Sequence, residues 1–345
     1  MTQDAAALDA APKPHDEAQS QPPTPLLRRY AATPAFYMAV VLVLLIAFFS
    51  AVRPATFPSV FNARNILLDA STLLVVSTGM TYVMIAGGFD LSVGSVLVFA
   101  GVAAAQVMDA VGGNGIGIVL LGLIAALAAG LAWGLFNGFC VAYLRVPPLI
   151  TTLGSMGAAL GIADLMTGGN DIRTVPDGLI AVGSSDVGGI PVIVVIAAVV
   201  TLIGGIWLHM TRFGTYTYIV GSNAEAGRRA GINVPRHLLI LYGLSGLLAG
   251  LAGILSLGRF ATTTIEGHTM EPLQSITAVV LGGTSLFGGM GSAFGTVIGV
   301  FLPAVLENGF VIMDVQPFWQ AVVIGFVVIA AVYLDQLARR RRERA

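Results

Sequence analysis

Ionisable and polar residues that could carry function lie at breaks in the long apolar runs of this 345-residue chain. Residues 87–94 read Gly-Gly-Phe-Asp-Leu-Ser-Val-Gly. The paired glycines allow a sharp turn, and Asp90 can accept the first free N–H groups of the helix that follows. If the runs cross a membrane, an ionisable residue at such a break is a functional candidate. We therefore consider two roles for Asp90 and the adjacent Ser92: a structural cap, or part of a transport pathway or gate.

A second candidate is the polar segment 211–236, in which Ser222 and Glu225 have the spacing of a capping box that begins a helix. Gly231 fits the C-terminal end of that helix, and Arg228 and Arg229 complement the negative end of its dipole. A helix this short is not stable alone. The segment is therefore either a docking element for a partner protein or a solvated connector.

A third candidate is the stretch 282–291, which repeats the Gly-Gly-x-x-Leu-x-x-Gly spacing of residues 87–94. The repeat indicates two related half-units, or a chance echo in a chain with 43 glycines. Some polar residues on the apolar runs should line a hydrophilic path, because a lipid-facing charge costs ~2.5–3.5 kcal/mol on insertion scales. The polar residues considered are Asn137, Thr151, Thr152, Asp164, Gln274 and Glu307.

The composition argues against catalysis and against nucleic-acid binding. Cys140 is the only cysteine and the four histidines are scattered, so the sequence predicts no metal site, no cofactor and no nucleophile–base cluster. The net charge of -1 disfavours a nucleic-acid partner. Lys13 is the only lysine, and a P-loop needs a lysine after its glycines. Any ATP-driven role therefore needs a separate ATPase subunit.

The elements that position these residues are predicted to be membrane helices. The chain is 56% hydrophobic and only 10% charged, with a mean hydropathy of +0.87, which is typical of an all-α polytopic membrane protein. We predict a disordered cytoplasmic tail (1–33), a transmembrane domain (34–337) with a cytoplasmic loop at 211–236, and a basic cytoplasmic tail (338–345). About ten spans are predicted, at 36–52, 66–87, 91–108, 116–144, 149–167, 191–210, 237–258, 273–287, 291–311 and 317–335.

The distribution of basic residues sets the predicted orientation. With ten spans and both termini in the cytoplasm, 13 of the 17 basic residues lie inside and four lie outside, as the positive-inside bias expects. Glycines recur every fourth residue at 130–138 and at 291–299, which predicts smooth faces for helix packing. The predicted outer loops 168–190 and 259–272 either contact an external protein or are solvated.

Together these motifs resemble the permease subunits of sugar-type ATP-binding-cassette (ABC) importers, the ribose/xylose/galactose branch. The resemblance covers residues from about 60 to the end. It rests on 87–94, Asn137-Gly138, 148–154, 221–234, Glu271, 282–291, Asn308-Gly309 and 335–342. Branched-chain amino-acid permeases are more distant, because they lack the Asp-Leu-Ser-Val-Gly form at the first break.

The resemblance implies an ABC importer permease fold and a set of partners. These are a second permease chain (a homodimer or a heterodimer), cytoplasmic ABC ATPase subunits and a periplasmic sugar-binding protein, assembled in the inner membrane. It implies that the coupling helix, which inserts into the ATPase, comprises Ser222, Asn223, Glu225, Arg228 and Arg229. The candidate pathway or gating residues are Asp90, Ser92, Asn137, Thr151, Asp164 and Glu271. Asp164 departs from the family, whose members usually have an apolar residue there.

The alternative function is an ion-gradient-driven secondary transporter of a small polar solute. Such a transporter needs paired membrane carboxylates or a sodium site. Asp90, Asp164 and Glu307 are too isolated in sequence to argue for one. The identity of the solute is not readable from the sequence.

Overall fold

The computed structural model describes residues 34–316 and eight further residues at 318–319, 322–323, 325–326, 329 and 333. The predicted tails 1–33 and 338–345 lie outside the described residues, as does most of the tenth predicted span. The regular secondary structure of the described part is helical apart from one two-stranded hairpin, β1 (Asp186–Val187) paired antiparallel with β2 (Ile190–Pro191).

Twelve helices are present in the continuous stretch 34–316. They are α1 (Pro34–Val52), α2 (Val60–Ile85), α3 (Val93–Val111), α4 (Ile116–Ala142), α5 (Pro148–Thr167), α6 (Asp177–Ser184), α7 (Val192–Met210), α8 (Arg212–Ser222), α9 (Ala224–Arg229), α10 (Val234–Phe260), α11 (Glu271–Leu281) and α12 (Ala293–Ile312).

Eight of these helices are long and apolar enough to cross a membrane: α1, α2, α3, α4, α5, α7, α10 and α12. The eight match eight of the predicted spans, and the all-α membrane fold is confirmed. The predicted span 273–287 is different, because α11 has only 11 residues. At 1.5 Å per residue it covers ~16 Å, about half of the hydrocarbon core. The rest of that predicted span is a glycine-rich joint.

The long helices run between two ends of the bundle. One end carries α8 and α9, and we call it the α9 end. At the opposite end, ion pairs join segments that are distant in sequence: Arg64 with Asp186, and Arg259 with Asp69. The contacts therefore place Arg64 and Arg259 at the same end, as the orientation from basic residues predicted.

The helix α10 is the centre of the bundle, and its closest neighbour is α4. Gly130 and Gly134 face Gly246 and Gly250 so closely that backbone touches backbone along the seam. An added Cβ at Gly130 would lie 2.2 Å from the Gly246 carbonyl oxygen. The prediction that the 130–138 glycines pack helices is confirmed, because helices in lipid associate through such close approach.

Paired hydroxyl groups connect α2 to three other helices in the buried core. Ser77 donates to Ser275 of α11 at 3.1 Å. Thr78 is 3.1 Å from Thr201 of α7. Thr81 is 2.7 Å from Thr296 of α12. Each pair satisfies buried polar groups across a helix interface, which adds a directional bond to the apolar packing.

Candidate functional site

The two glycine-rich breaks predicted from sequence contact each other in the structure, and we call them the first joint (86–92) and the second joint (282–292). The first follows α2, and the second connects α11 to α12. The Gly289 N–H donates to the Ile85 carbonyl at 2.8 Å. This hydrogen bond connects the second joint to the last residue of α2, which precedes the first joint. Gly87, Gly288 and Gly289 all have positive φ, at 80°, 83° and 75°. Their conformations favour glycine. In the repeated Gly-Gly-x-x-Leu-x-x-Gly pattern one glycine of each pair has a positive φ, Gly87 in the first pair and Gly283, at 90°, in the second.

The last turn of α8 packs on the point where the joints meet. A Cβ at Gly221 would lie 1.8 Å from the Ile85 oxygen and 2.7 Å from the Gly289 nitrogen. A Cβ at Gly288 would lie 2.9 Å from the Gly221 oxygen. We call the contact of Ile85, Gly87, Gly221, Gly288 and Gly289 the glycine junction. Because only backbone separates the three segments, none can shift there without displacing the others.

A tyrosine adds a second link between α8 and the second joint. The Tyr218 hydroxyl donates to the Gly291 carbonyl at 2.8 Å. Burial raises the pKa of Tyr218 to about 12, so the phenol remains a protonated donor at neutral pH. The link holds α8 beside the joint in addition to the backbone contact.

The helix α9 begins immediately after α8, and the predicted cap is wrong by one residue. Ser222 is the last residue of α8, whereas the Asn223 side chain caps α9 by accepting the Ala226 N–H at 2.9 Å. Helix α8 continues through Ser222, so Ser222 cannot serve as the N-cap of the next helix. The end is as predicted: Gly231 follows the C-terminal turn with a φ of 84°.

The charged side chains of α9 face outwards. Glu225 pairs with Arg228 at 2.9 Å and with Arg229 at 3.4 Å, and these three side chains are 57%, 59% and 80% exposed. Glu225 therefore braces the arginines instead of closing a capping box. The result is a six-residue exposed helix that directly follows the turn of α8 on the glycine junction.

Asp90, Ser92 and Asn137 lie together and are fully buried. Asp90 Oδ1 accepts the Ser92 hydroxyl at 2.6 Å and its N–H at 3.1 Å, and Oδ2 accepts the Ser245 hydroxyl at 2.8 Å. Asn137 donates to Ser92 Oγ at 2.8 Å. Burial raises the pKa of Asp90, and the hydrogen bonds from Ser92 and Ser245 oppose the rise. This cluster connects the first joint to α4 and α10.

The predicted residues on α5 lie apart from that cluster. Thr151 is buried, and its hydroxyl has no hydrogen-bond partner among the described residues. Asp164 is half-buried near the far end of α5, the end opposite α9. The structure therefore does not bring Thr151 and Asp164 together with Asp90.

Glu271 lies on a polar cavity at the end opposite α9. The cavity has a volume of about 290 Å³ and is bordered by α2, the end of α10, the loop that follows it, α11 and α12. Glu271 approaches His268 at 3.2 Å, and Glu307 accepts the Gln274 amide at 2.8 Å. Asp69 and Arg259 also border it. Glu271, Gln274 and Glu307 were separate candidates in the sequence analysis. Their spacing does not predict that they share a cavity with Asp69 and Arg259.

A metal centre is not built from the described residues. Among them, no group of three His, Cys, Asp or Glu side chains could hold a metal ion. Cys140 is a free thiol. The polar groups described above are instead arranged as hydrogen-bonded pairs at helix contacts and around one cavity.

Membrane-length helices, two contacting joints and an exposed helix at one end define a polytopic membrane permease. The chain belongs to the family described as "Branched-chain amino acid transport system / permease component", whose model matches residues 62–332. Its curated relatives narrow the class to sugar-type ABC importer permeases, which confirms the resemblance seen in the sequence. The chain is a permease and not an enzyme.

Three relatives match most of their length. The ribose import permease protein RbsC of Escherichia coli K12 is 38% identical over 301 residues, covering 86% of this chain and 92% of the relative. The galactose/methyl galactoside import permease protein MglC of Salmonella typhimurium is 35% identical, covering 88% and 94%. The D-allose transport system permease protein AlsC of Escherichia coli K12 is 33% identical, covering 86% and 90%. No solved structure matches the chain.

Proposed function

We propose that this chain is the membrane pathway of an ATP-driven importer for a sugar or sugar-like solute. A periplasmic binding protein delivers the solute, and separate cytoplasmic ATPase subunits bind at the α9 end. Two permease chains form the pathway, either as a homodimer or with a similar partner. Both termini and α9 are on the cytoplasmic side of the inner membrane.

The observation that carries the proposal is that α9 directly follows the end of α8, which packs on the glycine junction. A six-residue helix has too few internal hydrogen bonds to be stable alone. Here it is exposed and charged, and it directly follows the turn of α8 that packs where both joints of the membrane bundle meet. A partner that binds Glu225, Arg228 and Arg229 can therefore transmit a displacement through α8 to the backbone of both joints. This is the arrangement that a motor subunit needs to move membrane helices.

The solute class follows from the relatives, whose names specify ribose, galactose/methyl galactoside and D-allose import. All three are neutral monosaccharides or their glycosides. The lack of any lysine after position 13, and therefore of a P-loop, supports a separate ATPase subunit.

The decisive experiment is uptake by proteoliposomes that contain this chain with an ATPase subunit and a binding protein from the same genome. We expect uptake of at least one radiolabelled monosaccharide that requires ATP, the ATPase and the binding protein. Uptake that persists without ATP and is driven by a proton or sodium gradient would establish the secondary transporter instead.

Variants of α9 test the ATPase contact. Glu225→Ala removes the carboxylate that orients both arginines, and Arg228→Glu reverses the exposed charge. We expect both to weaken co-purification of the ATPase while the permease stays folded. Arg145→Glu is the matched control, because Arg145 is an exposed arginine at the same end on the α4–α5 loop. Unchanged co-purification of both α9 variants would contradict the coupling role.

A further inference from the structure

The cavity at the end opposite α9 is distinct from the other cavities of the described part. A larger groove between α2, α7 and α12 has a volume of about 490 Å³ and almost wholly apolar walls, which suits lipid tails. The cavity around Glu271 is smaller, at about 290 Å³, and polar groups form most of its surface. A polar cavity among membrane helices is costly unless something polar fills it.

Three donor–acceptor pairs border this cavity. Arg259 donates to Asp69 Oδ1, His268 faces Glu271 Oε1, and Gln274 donates to Glu307 Oε1. In each pair the contact uses one carboxylate oxygen. Glu271 Oε2 is buried and has no hydrogen-bond partner among the described residues. A buried carboxylate oxygen without a donor costs free energy, and rotation of the Glu271 side chain towards the cavity would let a ligand hydroxyl supply one.

Charge restricts the ligand that the cavity can take. Three carboxylates and one arginine leave an acidic balance, so a phosphate or another anion is disfavoured. A bare metal ion is also disfavoured, because no three ligand side chains in the described part converge at metal distances. The arrangement of acceptors, a guanidinium and an amide is suited instead to a neutral molecule with many hydroxyl groups. Phe260, half of whose surface is exposed, adds an apolar wall for the C–H face of such a molecule.

Size and position agree with that ligand. Pockets for drug-sized ligands are ~300–1,000 Å³, so a cavity of about 290 Å³ is suited to a single sugar ring. Its lining includes Asp69 in the first half of α2 and Arg259 at the end of α10. Both lie away from α9, at the end where a binding protein would release the solute under the function proposed above.

We propose that this cavity, formed by Asp69, Arg259, His268, Glu271, Gln274 and Glu307, is a transit site for a neutral monosaccharide. The inference rests on the proposed function and deepens it by placing the solute on named residues. The site receives the sugar from the binding protein and holds it weakly, since conduction requires release. The acceptor oxygens of Glu271 and Glu307 take the sugar hydroxyls, and Arg259 and Gln274 donate to the sugar oxygens.

Transport by the reconstituted complex gives the first test. We expect Glu271→Gln and Glu307→Gln each to lower monosaccharide uptake by about tenfold, equivalent to one hydrogen bond to a charged group. The ATPase should still co-purify with both variants, because the ATPase contact proposed above is at the other end. Asp109→Asn is the control, since Asp109 is an exposed carboxylate near the same end on α3.

Protection from labelling gives the second test, which does not depend on turnover. Gln274→Cys in a Cys140→Ser background places one thiol on the cavity for a methanethiosulfonate reagent. D-ribose, D-galactose, D-allose and D-xylose are tested at millimolar concentration against sodium chloride of equal osmolality. We expect at least one sugar to slow labelling and the salt to have no effect.

The results of these two tests distinguish failure of the proposed sugar site from failure of the proposed importer function. ATP-dependent uptake that is unaltered in both Gln variants, with no protection by any sugar, would overturn the site and leave the permease function intact. Protection by sodium chloride alone would overturn the sugar site in favour of a cation. Failure of wild-type uptake to require ATP would remove both proposals.

Discussion

The α4–α10 seam gives a prediction whose size can be worked from the structure. Replacing Gly130 by Ala puts a Cβ 2.2 Å from the Gly246 oxygen, where carbon–oxygen contacts normally lie at ~3.3 Å or more. The helices must separate locally by ~1 Å, which forfeits a quarter to a half of the dispersion energy of each contact atom pair. The obstacle is backbone, so no side chain can rotate away.

Overpacking of this kind costs ~1–3 kcal/mol, and the better helix propensity of Ala returns less than ~1 kcal/mol. We expect Gly130→Ala to lower the free energy of unfolding by about 1–2 kcal/mol, a fall in Tm on the order of 5 °C. The measurement is thermal unfolding in detergent followed by tryptophan fluorescence at one scan rate. Gly117→Ala on the same helix is the control, because nothing lies within 4 Å of its Cβ, and it should be neutral or slightly stabilising.

The double variant tests whether the seam is the cause. A Cβ at Gly246 would lie 2.2 Å from the Gly130 oxygen, so the two substitutions open the same contact. We expect Gly130→Ala with Gly246→Ala to cost clearly less than the two single losses together. A Gly130→Ala protein as stable as the wild type, or strict additivity in the double variant, would refute the argument that backbone contact holds these helices.

Two further predictions concern buried polar contacts. Thr81→Val and Thr296→Val each remove one hydroxyl of an interhelical pair and should each lower stability by ~0.6 kcal/mol, whereas the double Val variant should cost little more than one change; a coupling energy of zero in the unfolding cycle would contradict the pair. Asp90→Ala leaves donors from Ser92 and Ser245 unpaired and should lower the unfolding midpoint strongly, while Asp90→Asn should keep fold and transport because an amide can replace most of those bonds. Loss of uptake in a stable Asp90→Asn protein would show that Asp90 acts in the pathway or gate.

Local patterns in the sequence were enough to locate most of the membrane architecture. Apolar run length predicted the eight long helices, because each must cover the same hydrocarbon thickness. The repeated glycine pairs predicted two breaks, and one glycine of each pair, Gly87 and Gly283, has the positive φ that favours this residue. The cap of α9 was wrong by one residue. Ser222 and Asn223 both suit a cap, and the choice depends on where α8 ends.

Contacts between distant segments could not be predicted in the same way. Asp69 and Arg259 are separated by 190 positions, and Thr81 and Thr296 by 215. Each residue in isolation reads as a polar exception on an apolar run. Their partnership depends on the order in which helices pack, and helix periodicity does not encode that order. The cavity around Glu271 and the hydroxyl pairs of α2 therefore emerge only from the folded bundle.

The half-length helix α11, with the joint that follows it, connects the polar cavity around Glu271 to the glycine junction. Its first turn supplies Glu271 and Gln274 to the polar cavity. Its last turn leads through the second joint to Gly288 and Gly289, which touch Gly221 beside α9. Coupling between distant sites needs a physical element that both sites can bias. α11 and its joint are continuous between the cavity and the glycine junction, and the joint's positive-φ glycines are suited to absorb changes in backbone angle. A full-length helix in that place would reach the α9 end without a joint, and the coupling role proposed for α9 would have no flexible segment to act on.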